Sequence, residues 1–250
     1  MTHSAVAPEA PVTAGMSASR LVLWDIDHTL IECGDAARQA YAAAFQKATG
    51  QPLTVPWRFD GRTELAAAEE VLRAHSLNPG GALLDTFLDL IVTELRVRAD
   101  DLAAHGRVLP GALEALIAVE ALPGVRQSVL TGNLYPLAIL KMTVFGLAGH
   151  VDFRLGAYGG DALERADLPR HAFDRVHRRL GTRYCGATTV IIGDTLRDIS
   201  TAHAVGARSI AVATGTTSAD ELTAAGADVV LPDLTDTTAV VKAVTGKTAV

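Results

Sequence analysis

Short β-branched runs recurring between amphipathic stretches limit the possible folds of this chain more than any other feature. After Arg20, the segments RLVLWDID, RQSVLTGN, VDFRLGAYG, TTVIIGDT, RSIAVATG and ADVVLPDL read as strands buried on both faces. The stretches between them carry helix punctuation. PLAILKMTVFG has Pro136 near its start and Gly146 past its end, PRHAFDRVHRRLG repeats the device with Pro169 and Gly181, and SADELTAAG opens on a capping box from Ser218 to Glu221. Five or six strands joined by helices through right-handed crossovers predict an α/β fold, a doubly wound parallel sheet.

One interval breaks the rhythm. Between Glu32 and Arg107 no strand is legible, whereas DAARQAYAAAFQKATG, TELAAAEEVLRAHS and GALLDTFLDLIVTELRVRADDLAAHG have helical patterns. An insertion this long, placed straight after the first strand, exceeds an ordinary βα loop and predicts a separate helical cap. The expected organisation is a disordered Ala/Pro/Ser/Thr-rich tail over 1–19, an α/β core over 20–31 and 108–250, and a cap over 32–107.

Composition removes several classes of function. A chain of 250 residues, 49% of them hydrophobic, can bury a sizeable core. Its net charge of -6 argues against a nucleic-acid partner, because phosphate-backbone binding needs a basic surface. Two cysteines, Cys33 and Cys185, read as free thiols of a reducing compartment. The N-terminal stretch lacks the basic and apolar regions of a secretory signal, and no later run is apolar enough to span a membrane. These readings together predict a soluble cytoplasmic protein without a membrane partner.

In a parallel α/β sheet, ligands bind beyond the carboxyl ends of the strands. The first strand ends in Asp25 and Asp27, RQSVLTGN ends in Thr131, Gly132 and Asn133, and TTVIIGDTLRD ends in Asp194 with Asp198 one helical turn later. Crowded carboxylates repel one another, and a hard divalent cation with oxygen ligands, most simply Mg²⁺, resolves the conflict. A metal invites a phosphate, for which Thr131 and the Gly132 amide at a helix N-terminus offer hydrogen bonds. Residues at i and i+2 of a strand point the same way, so Asp25 can attack phosphorus while Asp27 handles the proton.

DIDHT, LTGN and IIGDTLRD, in that order at those strand ends, resemble motifs I, II and IV of the haloacid dehalogenase-like (HAD) superfamily, and the helical insert resembles its C1 cap. Within the superfamily the chain is similar to the phosphoglycolate phosphatase type. The resemblance implies a HAD-like Rossmannoid core and a nucleophile and acid/base at Asp25 and Asp27. It also implies Mg²⁺ held by Asp25, the backbone carbonyl of Asp27 and Asp194, with Asp198 as a further ligand or a residue behind the ligands. The implied activity is hydrolysis of a small phosphorylated metabolite through an aspartyl-phosphate, with a sugar phosphomutase or a non-catalytic binding module as alternatives.

Two departures from the family pattern stand out. His28 replaces the usual Gly or Asp, and the Lys-Pro of motif III is missing. The cations nearest the expected motif III place are Arg165 and Arg170, with Arg165 favoured. Lys141 is the rival, and the rise of its helix is expected to carry it away from the site. In the cap, WRFDGRTE resembles a substrate-specificity loop, in which Arg62 either meets the distal part of the substrate or faces water beside a plain N-cap at Thr63. Arg58 and Trp57 are further hints toward a polar or anionic substrate.

Overall fold

The computed structural model describes residues 19–55 and 61–246. Residues 1–18 of the expected tail, together with Trp57 and Arg58, lie outside the described residues. In chain order the elements are β1 (Arg20–Trp24), β2 (Ile31–Glu32), α1 (Ala36–Thr49), α2 (Glu64–Ala74), α3 (Ala82–Val97), α4 (Ala99–His105), β3 (Arg107–Val108), α5 (Ala112–Glu120) and β4 (Val125–Val129). There follow α6 (Tyr135–Val144), α7 (Leu168–Leu180), β5 (Thr189–Gly193), α8 (Leu196–Val205), β6 (Arg208–Val212), α9 (Ala219–Ala224), β7 (Val229–Leu231) and α10 (Thr237–Thr245).

Five strands form one parallel sheet in the order β4-β1-β5-β6-β7. Alternate residues feed two separate cores, as the two-residue repeat of a strand requires. Val22, Trp24, Val190 and Ile192 pack on one face with Leu116 and Val119 of α5 and Val240 and Val244 of α10. Leu21, Leu23 and Ile191 pack on the other with Leu168, Ala172 and Val176 of α7 and Ala202 of α8. The sheet is therefore doubly wound.

The segment VDFRLGAYG is not a strand of this sheet. Asp152 accepts a hydrogen bond from the Arg154 amide and caps a single 3-10 turn over Phe153–Leu155, so the segment meets the sheet through an isolated bridge from Ala157 to Leu130 and through hydrogen bonds between Asp152 and both Gln127 and Ser128, not as a strand. Local side-chain capping has overridden its β-branched and aromatic composition.

The chain leaves and re-enters the sheet layer through a small antiparallel ribbon, in which Ile31 pairs with Val108 and Glu32 with Arg107. Between these strands, α1 to α4 bury their own apolar faces. Ala36, Ala40, Tyr41, Ala44 and Phe45 line one side of α1 at helical spacing, and Phe87 of α3 meets the rings of Tyr41 and Phe45 edge-on at 5.1 and 5.6 Å. The last helical pattern of the insert breaks at Arg98, whose guanidinium turns back to the Glu94 carbonyl and carboxylate, giving α3 and α4.

Candidate active site

Strand register builds the site. Trp24 lies opposite both Val129 and Ile192, so the residues that follow β1, β4 and β5 emerge on one rim of the sheet. That rim and the insert enclose a cavity of about 1020 Å³, lined by Asp25, Asp27, Thr131, Gly132, Asn133 and Asp194 from the core and by Arg62 and Glu64 from the insert.

Asp25 and Asp27 separate onto different partners. Asp25 is 5% exposed and lies 3.1 Å from Arg165 Nη2, which also donates to Asp198 Oδ1 at 2.6 Å. Asp25, Asp194 and Asp198 each present an oxygen within 4.8 Å of the others, and all three residues are buried. Thr29 Oγ1 donates to Asp194 Oδ1, and a β-carbon at Gly215 would overlap the other Asp194 oxygen. Burial, then the neighbouring charges of Asp198 and Asp25, pushes the Asp194 carboxyl up to about 8. Burial likewise raises Asp25, against the pull of Arg165. Three buried carboxyl groups at such spacing, with Asp25 and Asp194 both raised, form an oxygen donor set that a hard divalent cation fits.

Asp198 holds two positions at once. Its Oδ2 closes a capping box with the Thr195 amide and hydroxyl at the start of α8, while Oδ1 takes Arg165. A residue one turn into the helix is thereby locked by the helix's own N-terminus.

Asp27 is held by Lys141. The Lys141 Nζ donates to both Asp27 oxygens at 2.9 and 2.8 Å and to Asn133 Oδ1 at 2.6 Å, while Asn133 Nδ2 and the Cys33 thiol also donate to Asp27. Burial alone would raise the Asp27 carboxyl, but Lys141 and these donors carry it down to about 2. Burial would lower Lys141, and Asp27 raises it instead. The expectation that Lys141 is carried away from the site is therefore wrong. A long helical side chain leans back toward the helix N-terminus, and Lys141 reaches along the flank of α6 to Asn133 and Asp27.

Gly132 also departs from expectation. It precedes Leu134, the N-cap of α6, by two residues, so its amide is not among the free N–H groups of the helix end. Its carbonyl instead accepts from the Glu64 amide of the insert, and a β-carbon there would overlap the Arg62 carbonyl. Thr131 is 1% exposed, and its hydroxyl oxygen accepts from the Asn133 amide and side chain.

Of the three candidate motif III cations, Arg165 is the one on Asp25. Arg170 is exposed and pairs with Asp167 at 2.9 Å, away from the cavity lining. Arg62 lines the cavity while pairing with Glu70. His28 sits at φ 61 and is exposed at the mouth. Two residues escaped the sequence reading: Cys33 as a donor to Asp27, and Glu64, buried beside Lys141. The sequence offered a plain N-cap at Thr63, which the Thr63 hydroxyl makes by accepting from the Ala66 amide, and an N-cap says nothing of where the carboxyl that follows it points.

A HAD-hydrolase-like family model matches residues 166–237. A phosphoglycolate phosphatase of Pectobacterium atrosepticum is 26% identical over 231 residues, covering 89% of this chain and 92% of its own length. Among solved structures, a predicted phosphatase from Clostridium acetobutylicum superposes with a TM-score of 0.65 at 17% identity, over 90% of this chain and 99% of its own. CbbY from Rhodobacter sphaeroides, solved in complex with phosphate, gives a TM-score of 0.63 at 19% identity, over 87% and 95%. Residues 166–237 thus match a HAD-hydrolase-like model, and the motif order and five-stranded parallel sheet of the chain resemble those of the haloacid dehalogenase-like superfamily.

Proposed function

We propose that this chain is a Mg²⁺-dependent phosphatase that hydrolyses a small-molecule phosphate monoester through an aspartyl-phosphate on Asp25. One observation carries the reading. Asp25 opens on the cavity between a buried guanidinium and two buried carboxyl groups, while the other carboxylate of the pair is held apart on its own cation. The likeness to a phosphoglycolate phosphatase supports the reaction class.

A divalent ion bound among Asp25, Asp194 and Asp198 would supply positive charge for the phosphoryl oxygens. The chain's own groups do the rest. A carboxylate oxygen of Asp25 bonds to phosphorus as the ester P–O bond breaks, and the departing alcohol takes a proton that Asp27, ionised in the resting site, has first picked up from water. Asp27 then withdraws a proton from water, whose oxygen attacks phosphorus and frees Asp25. With Lys141 on both oxygens, Asp27 is in the ionised form that serves the second half of this cycle. Arg165 neutralises charge on the phosphoryl group, and Thr131, whose hydroxyl accepts from Asn133, keeps its own proton to donate. Residues 32–107 act as the cap that closes the cavity and excludes water, with Arg62 on its inner wall. A Cys33 thiol spent as a hydrogen-bond donor favours a reducing cytoplasmic setting. Among the described residues, no helix is long and apolar enough to cross a membrane.

The test is phosphate release from p-nitrophenyl phosphate with Mg²⁺, with EDTA, and by Asp25→Asn. Turnover is expected in the first condition alone. Equal background rates in all three would leave a binding module as the better reading, and an isomerised sugar phosphate without net phosphate release would point to a mutase.

A further inference from the structure

The cavity contains a carboxyl group that none of these roles uses. Glu64 is the first residue of α2 and 6% exposed, it lines the cavity, and its Oε2 has no hydrogen-bond partner among the described residues. Its position is fixed from the core side. The Glu64 amide donates to the Gly132 carbonyl at 2.8 Å, the Leu65 amide to Gly159 at 3.1 Å, the Thr63 hydroxyl to Leu163 at 2.8 Å, and Arg165 Nη1 to Gly61 at 3.1 Å. A β-carbon at Gly159 would overlap the Gly132 carbonyl oxygen and crowd the Glu64 amide, so the backbones of the core and the insert meet closely at this seat. A buried polar oxygen left without a partner is uncommon in folded proteins. One held this firmly against a cavity is placed for a group that the ligand brings.

The surroundings say which group. Burial, opposed by Lys141 and helped by Asp27, raises the Glu64 carboxyl to about 8, so near neutral pH it is uncharged and can both donate and accept. The cations around it are committed: Lys141 holds Asp27, Arg165 holds Asp25 and Asp198, and Arg62 holds Glu70. Each of these three already has an acidic partner within the protein, so a carboxylate on the substrate, besides its phosphoryl group, would have to compete for one of them. The cavity, at about 1020 Å³, also has room for an alcohol larger than a two-carbon phospho-acid.

Building on the phosphatase reading, we propose that the leaving alcohol carries a hydroxyl that hydrogen-bonds Glu64, making the substrates polyol- or sugar-sized phosphate monoesters, with Glu64 as the residue that rejects esters lacking that hydroxyl. A site built to pair with a substrate hydroxyl discriminates steeply against analogues without it, because its own buried group is then left unpaired.

The experiment compares kcat/KM for glycerol 3-phosphate, ribose 5-phosphate, 2-phosphoglycolate and propyl phosphate, which keeps the glycerol carbon chain without its hydroxyls. The expected result is a preference for the hydroxylated esters over propyl phosphate and 2-phosphoglycolate of about 100-fold or more. Glu64→Leu should collapse that ratio at least about tenfold, and Glu64→Gln, which keeps a donor and an acceptor, should retain most of it. Circular dichroism checks that both variants fold. A ratio that survives Glu64→Leu, or 2-phosphoglycolate as the best ester, overturns the proposal. Calorimetric binding of the same esters to Asp25→Asn with Mg²⁺ gives the same ranking without turnover, and the reverse order there overturns it too. Failure to cleave p-nitrophenyl phosphate or any of these esters, with the binding order intact, counts against the phosphatase reading alone.

Discussion

Replacing Lys141 by Met keeps the length of the side chain and removes the charge that holds Asp27. The Lys141 side chain is 6% exposed and that of Asp27 33%, so the pair lies at the buried edge of the cavity. Breaking a fully buried pair costs about 3–5 kcal/mol, and the open side of Asp27 reduces this to about 2–3 kcal/mol. Asn133 and Cys33 would still donate to Asp27, but burial, which raises its carboxyl, would no longer be outweighed. Urea unfolding at neutral pH of wild type, Lys141→Met, Asp27→Asn and the double variant closes a thermodynamic cycle. Each single change leaves a buried partner uncompensated, so the double variant should be more stable than the sum of the singles predicts, with a coupling of about 1–3 kcal/mol. Turnover by Lys141→Met should fall with the loss of Asp27 placement, and Lys141→Arg should restore part of it. Additive single and double variants within about 0.5 kcal/mol would refute the pairing.

Glu64 makes stability depend on pH: the unfolded carboxyl ionises near 4.5, whereas the folded one keeps its proton until about 8. Stability contributed by this group is thus full below the lower value and falls as pH rises through the upper one, by roughly 3–5 kcal/mol. Glu64→Gln should remove that slope, so its stability advantage over wild type, measured by urea midpoint in EDTA, grows between about pH 5 and 9. A constant difference across that range would contradict the burial of Glu64. Mg²⁺ should raise the thermal midpoint, by the equivalent of about 2.7 kcal/mol at a hundredfold excess over Kd, and Asp194→Asn should abolish the rise in differential scanning fluorimetry. Gly159→Ala forces a β-carbon into the Gly132 carbonyl and should destabilise the protein by about 1–3 kcal/mol, read by urea unfolding.

Much of this molecule was open to reading from residues in order. Buried apolar runs need no partner to declare themselves, so β1, β5, β6 and β7 fall within segments legible as strands and β4 does so but for Val125, and the acidic and Thr-Gly-Asn endings locate the rim. Helix ends were equally legible where a local device set them, as at Ser218 and Gly181. VDFRLGAYG misled because its composition favours a strand, while the capping hydrogen bond from the Arg154 amide to Asp152 fixes a turn. Lys141 and Glu64 were hidden for a deeper reason. A sequence fixes how far along a helix a side chain stands, whereas the distance to Asp27 depends on how α6 lies beside the rim and how the insert folds back onto it. The order of strands and the chemistry of their ends are local properties of the chain. Which cation meets which carboxylate is decided when elements far apart in sequence pack together, because charge interactions inside a protein act through space and not along the backbone.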